Sequence, residues 1–464
     1  MNTKRLIVFI LGLLIGIIIM FMIPVPSGLT RDAMIGGGIF ICCIVWLSGE
    51  VFPNYVTMLV MISAWIISGV MPFNAAFSSF AGTSFWLLVG AMAIGAAATK
   101  SGLLLRFALL VLRLFPSNFS GQVRAFLLSG LIISPLVPST GTKAAIMGPI
   151  AKKISDTMGY ESCSKGSAGL FGAFFTGYAN FGSIFLSSTF IAYSMVGTLP
   201  AEYIKDVTWF SWLYNVLPWG IVMVVLSYAA LIFFYKPKDD KKMDPEKLNK
   251  MVEELGPMKI EEKIVTGVLA GCLLLWVLER QIGINSAVVS VIGMCILAAA
   301  GILNNKDFDT KMGWSTIIFI GGAMSMGTML SHLGINNFIG NQIGPILSPV
   351  VSKPVFFILT LVLTVVLARF FTGTLSTTIL FTAIVAPIGI AAGIHPWVIG
   401  FIAYVSTQVW FVTYNMPLFL IADASSGGEM ISKKQAAFQS LINLTITVIG
   451  LLISIPWWQY LGLM

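Results

Sequence analysis

Charge is scarce in this chain. Asp, Glu, Lys and Arg make up 10% of its 464 residues, against roughly 25% in an average soluble domain. Hydrophobic residues make up 57%, so water cannot be the solvent for most of the surface, and the length does not divide into soluble domains. Histidine occurs twice, at His332 and His395 near the ends of apolar runs, and neither is given a role. The five cysteines include no CxxC pair, and four of them sit inside apolar runs. That excludes a disulfide framework and a cysteine metal cluster. HExxH, GxSxG and an intramembrane Asp pair are all missing, which argues against a membrane enzyme. The 19 Asp and Glu residues fall in loops or near the ends of apolar runs. A proton pump or cation carrier generally needs a buried carboxylate, so neither is expected.

What is present is apolar sequence of membrane-crossing length. Eleven runs, near 6–23, 33–49, 54–71, 84–99, 166–198, 213–235, 262–279, 286–303, 314–331, 396–423 and 437–461, are long enough to span a bilayer. The first, after Lys4 and Arg5, is read as a retained helix and not a cleaved signal. Two further segments, 121–154 and 353–392, are apolar but broken in the middle by Gly, Pro, Ser and Thr. They read as re-entrant helical hairpins, whose irregular tips are tolerated at membrane depth only inside protein or along a wet cavity. Gly and Pro are abundant, as in membrane helices. The expectation is an all-α polytopic protein with 11 transmembrane helices and two re-entrant hairpins.

Lys and Arg fix the orientation. With the N-terminus in the cytoplasm, 21 of the 27 cations fall in cytoplasmic segments, and the reverse orientation would invert that bias. The C-terminus is then outside, as expected for a multi-pass protein of a bacterial inner membrane. The net charge of +8 is a topology signal, and nucleic acid is not an implied partner. Residues 236–261 form a polar cytoplasmic connector, and Leu103 to Leu114, carrying Arg106 and Arg113, reads as an interfacial amphipathic helix. Trp209, Trp212, Trp219, Trp314, Trp457 and Trp458 lie near run ends, where an aromatic belt would place them.

The chain also repeats itself. Gly90-Ala91-Met92 with Gly95 and Gly102 returns as Gly322-Ala323-Met324 with Gly327 and Gly334, and Thr140-Gly141-Thr142 returns as Thr372-Gly373-Thr374, all at an offset of 232. After an N-terminal helix in 1–30, the first repeat covers 31–235 and the second 262–464. Each holds five spans and a hairpin, and an odd number of spans inverts the second copy. Inverted repeats with broken helices are transporter architecture, with the site where the repeats meet.

The hairpin tips carry the chemistry. The first reads Pro138-Ser139-Thr140-Gly141-Thr142-Lys143, and the second runs from Arg369 through Thr372, Gly373, Thr374, Ser376, Thr377 and Thr378. Both are rich in hydroxyls and free of carboxylates. Helix N-termini at such tips favour an anion, and Lys143 and Arg369 are buried cations that would balance its charge. Two spans that follow the hairpins are also interrupted, at Gly177 to Ser183 with Ser187 and Ser188, and at Thr413-Tyr414-Asn415. These stretches are expected to complete a substrate site. Ordinary N-capping by Ser and Thr and plain Pro or Gly kinks are the alternatives.

With these residues the chain resembles the divalent anion:sodium symporter family, and within it the citrate/succinate antiporter branch. The connector Glu254-Leu255-Gly256-Pro257-Met258-Lys259-Ile260 and the late segment Gly427-Gly428-Glu429-Met430-Ile431 are similar to that branch. The resemblance implies di- or tricarboxylate substrates, a homodimer and an elevator motion. The family's Ser-Asn-Thr tip motifs match Ser139-Thr140-Gly141 and Ser376-Thr377-Thr378, and both Asn are missing. Lys143 stands four positions after Ser139, where the antiporter branch carries a basic residue. That implies exchange without sodium. A sodium ion, where one couples transport, would sit at Ser139, Gly141, Thr374 and Thr377. A sodium-coupled symporter of dicarboxylate or sulfate, and more remotely an anion channel, remain as alternatives.

Overall fold

The computed structural model of the chain describes residues 3–239, 241–339, 341–342, 353–413 and 416–464. Among them the regular structure is helical, with no strand. Among the described residues, eight continuous helical stretches of 18 residues or more are apolar enough to cross a bilayer, and four shorter apolar helices accompany them. Each of the eleven runs coincides with a helix or with a pair of helices.

Local sequence explains the helix starts. Thr30 caps Ala33 N, Asn118 caps Gly121 N and Ser164 caps Ser167 N. Thr208 with Ser211, and Ser432 with Gln435, form reciprocal capping boxes before the two long helices Trp209–Tyr235 and Lys433–Tyr460. The first helix, Thr3–Ile17, exposes most of its leucines and isoleucines, as a lipid-facing helix does.

A pair of helices joined by a tip, a broken span and a long helix close each half of the chain. Helices Arg31–Ser48, Asn54–Ile67, Thr83–Lys100 and Leu103–Leu114 precede a hairpin with arms Phe119–Ile133 and Thr140–Thr157. A broken span follows, Lys165–Tyr178 and Phe190–Thr198, and then the long helix Trp209–Tyr235. After a connector helix, Pro245–Glu253, come Ile260–Val277, Ser286–Ala299, Asn305–Lys311 and Trp314–His332. The second hairpin has arms Pro354–Arg369 and Thr374–Ala391, its broken span is Pro396–Ser406 and Pro417–Ser425, and Lys433–Tyr460 closes the chain.

The two halves interlock. The second arm of the first hairpin packs on Pro417–Ser425 of the other half, with Ser425 Oγ donating to Ala144 O at 3.1 Å. Phe190–Thr198 packs on both Trp314–His332 and Thr374–Ala391. Within the first half, a Cβ on Gly130 would overlap the backbone of Gly177, so hairpin and broken span meet main chain to main chain. Trp212, Trp219 and Trp458 do not form a surface belt. They are fully buried, and with Trp397 and Phe401 they make a ring cluster, Trp212 and Trp397 centroids being 5.6 Å apart. Run-end position did not distinguish burial between helices from exposure to headgroups.

The amphipathic segment is a helix, Leu103–Leu114, with Leu103, Leu104, Ala108, Leu109 and Leu112 buried. Its Arg106 pairs with Glu262 at 2.7 Å and donates to Gly256 O and Leu255 O. The connector is therefore tied to the first half where the second begins.

Candidate functional site

The first tip is built by a helix that stops and another that starts. Phe119–Ile133 ends in a tight turn at Ser134–Leu136, and Pro138 keeps the residue before it extended. Ser139 then caps the second arm, its Oγ accepting from Thr142 N at 3.3 Å and from Thr142 Oγ1 at 2.8 Å. The second tip has Gly373 in the same place, extended and without a capping side chain. Nothing lies within 4 Å of where a Cβ on Gly373 would stand. The broken spans restart in the same way. Thr189 caps Phe190–Thr198 by accepting from Ile191 N at 3.1 Å, and Met416 precedes Pro417–Ser425.

These four helix starts open onto one cavity of about 410 Å³. Ser139, Thr140 and Gly141 line it from the first tip, and Gly373, Thr374, Leu375 and Ser376 from the second. Thr189, Phe190 and Ile191 contribute from the first broken span, and Met416, Pro417 and Leu418 from the second. A helix N-terminus carries roughly +0.5 of an elementary charge and unsatisfied N–H donors. Four of them around one space make a field that favours an anion. The C-terminal ends of the upstream half-helices reach the same cavity at Ala179 and Gln408.

Some of the predicted site residues face this cavity and some stand behind it. Thr142 and Ser139 border a neighbouring pocket of about 340 Å³ that also meets Lys100 and Lys311. Thr372, in the tip, turns its hydroxyl back to Ala368 O of the preceding helix, and Thr377 and Thr378 spend theirs on Gly373 O and Thr374 O one turn back, all at 2.8–2.9 Å. Ser187 is fully buried, donating to Pro135 O at 2.8 Å and accepting from Trp209 Nε1 at 3.0 Å. Ser188 is buried too and receives Lys143. Thr413 is half-buried near the second break, while Tyr414 and Asn415 lie outside the described residues.

The two buried cations do not line the cavity. Lys143 Nζ donates to Ser188 Oγ at 2.8 Å and Ser188 O at 3.3 Å. Arg369 donates from Nε to Thr407 O at 3.0 Å and from its guanidinium to Thr372 O. Each cation therefore joins its hairpin to the break in the next span of the same half. Their charge reaches the cavity through the protein and not by contact.

Several residues at the cavity and behind it carry little signal in the sequence. Asn443, in the last long helix, donates to Gln408 O at 2.9 Å and accepts from Asn180 Nδ2 at 3.0 Å, so one amide ties the two breaks together. A lone Asn in an apolar run was the available clue. Ser48, Glu50 and Asn54 also line the cavity. They lie at the end of one helix, in the loop after it and at the start of the next, where distance in sequence hid their position.

Known proteins resemble this chain over most or all of its length. Residues 3–464 match the family described as the sodium:sulfate symporter transmembrane region. A protein of Bacillus subtilis named as a candidate malate transporter is 25% identical over 475 residues, covering 100% of this chain and 98% of its own. Chloroplastic dicarboxylate transporter 1 of Arabidopsis thaliana is 24% identical, over 96% of this chain and 82% of its own. The crystal structure of the YdaH transporter of Alcanivorax borkumensis shares the fold with a TM-score of 0.57 at 13% identity, covering 82% of this chain and 87% of that one.

Proposed function

Because this chain belongs to the sodium:sulfate symporter family, the divalent anion:sodium symporters, and is a multi-pass membrane transporter and not an enzyme, we propose that it exchanges small di- and tricarboxylates across the membrane without sodium. The observation that carries the reading is the convergence of four helix starts, with the hydroxyls of Ser139, Thr140, Thr374 and Ser376, on one cavity. Those donors match carboxylate oxygens, and a cavity of about 410 Å³ has room for a four- to six-carbon acid. The names of the relatives, malate and dicarboxylate transporters, point to the same class.

Sodium independence rests on Lys143. Its ammonium occupies the Ser188 carbonyl and hydroxyl, the type of oxygen pair that a sodium ion would use. The hairpins and broken spans move as one body past the remaining helices in this reading, the halves being inverted repeats and the protein a homodimer with its N-terminus in the cytoplasm and its C-terminus outside. Sodium-coupled symport is the second reading. It is favoured by the two half-helix C-terminal ends, at Ala179 and Gln408, that also reach the cavity, since those ends attract cations.

Proteoliposomes loaded with unlabelled succinate separate the two. Labelled succinate should enter only against internal dicarboxylate, and at an equal rate when choline replaces sodium. Net uptake that requires sodium would establish symport instead, and flux without saturation or counter-substrate would indicate a channel.

A further inference from the structure

Glu50 is the single acidic or basic side chain among the described residues that line the central cavity. Its backbone is left-handed, with φ of 49°. Val51 N bonds to Trp46 O at 3.0 Å and Glu50 N to Leu47 O at 3.2 Å, the double-bonded helix end in which the left-handed position is ordinarily glycine. Elsewhere in the chain Gly69, Gly102 and Gly159 fill that role, and only Cys163 shares the left-handed region among non-glycine residues described. The chain thus puts a branch-bearing residue where a Cβ is unwelcome. It also puts a negative charge at the negative end of helix Arg31–Ser48. Two local rules are broken at one residue, and such departures concentrate at functional positions.

Glu50 is exposed and lines the same cavity as the four helix starts. We propose that Glu50 is a specificity-determining residue that sets a charge ceiling on the substrate, admitting dianions and penalising trianions. This rests on the anion-transport reading above. The four helix starts supply roughly two positive charges and the two half-helix C-terminal ends subtract about one, so the carboxylate leaves the cavity near neutral. Each further negative charge on the substrate then meets added repulsion from Glu50, and a trianion is penalised more than a dianion. Ligands are discriminated by what the site repels as much as by what it attracts.

Two acids that differ by one carboxylate test this. Glutarate and tricarballylate share a three-carbon chain between terminal carboxyls, and the latter carries a third carboxylate on the central carbon. Each is titrated as inhibitor of succinate exchange in proteoliposomes at pH 8, where both are fully ionised. Glu50→Gln is expected to improve inhibition by tricarballylate at least threefold more than inhibition by glutarate. Glu50→Gly, which removes the charge and relieves the backbone, should reproduce that change, and Glu50→Asp should keep the original ratio. A ratio unchanged in Glu50→Gln and Glu50→Gly while succinate is exchanged overturns the charge ceiling alone. Absence of succinate exchange in the unaltered protein overturns the transport reading, and the ceiling with it.

Discussion

Lys143 Nζ donates to Ser188 Oγ across 2.8 Å, joining the first hairpin to the break in the next span. Arg369 makes the equivalent join in the second half through Thr407 O. Neither cation touches the cavity, yet each fixes the distance between a hairpin tip and a helix start that does. The site is thus held together from behind by two buried charges.

Removing the first charge should be decisive. Lys143→Ala leaves the Ser188 hydroxyl and carbonyl without the ammonium in a fully buried place. Exchange in choline medium is expected to fall at least tenfold, or to return only when sodium is supplied. Exchange kinetics equal to the unaltered protein would remove Lys143 from the account.

The second charge depends on shape as well as sign. Arg369 reaches Thr407 O and Thr372 O from different nitrogens of one planar fork, a geometry that an ammonium does not reproduce. Arg369→Lys should cut exchange several-fold and lower the thermal unfolding midpoint, despite keeping the charge. Full activity in that variant would show that charge alone suffices there.

Asn443 offers a test of the link between the two breaks. Asn443→Ala leaves Gln408 O and Asn180 Nδ2 without this partner in the interior. The expected loss of stability is about 2 kcal/mol, with a larger fractional loss of exchange than of folded protein. Equal losses of both would make Asn443 a packing residue only.

His395 predicts an acid-side loss of stability. Burial pushes its imidazole below the usual histidine value, with Asp206 acting weakly in the opposite direction, and its neutral Nδ1 accepts from Trp397 N at 3.2 Å to cap a helix. The folded state therefore holds the neutral ring. The stabilisation is complete above the unfolded pKa of about 6.5 and is lost as pH falls below it. Thermal midpoints measured from pH 8 to pH 5 should drop at the acid end, and His395→Asn, which retains a cap, should flatten that part of the profile.

Much of the architecture was readable from residue order. Apolar runs interrupted by Gly, Pro, Ser and Thr located both hairpins, whose arms end within a few residues of the expected limits. The shared offset of Thr140-Gly141-Thr142 and Thr372-Gly373-Thr374 marked the two tips that meet in one cavity. What the sequence hid was direction. Lys143 and Arg369 read as cations that balance the charge of a bound anion, and the structure places them behind the cavity, on backbone carbonyls. Thr377 and Thr378 looked like donors, but on a helix their hydroxyls return to carbonyls one turn back. Glu50 lies far from the tips in sequence, and only tertiary packing brings its loop to the cavity they line.

The claim on which the rest depends is that helix starts, and not buried cations, hold the anion. A structure of the purified protein with bound succinate measures this directly. The account predicts carboxylate oxygens within about 3 Å of main-chain N–H groups at Thr140, Gly141 and Thr374–Ser376, with Lys143 still on Ser188. Succinate bound to Lys143 or Arg369, or outside the cavity between the two tips, would contradict it.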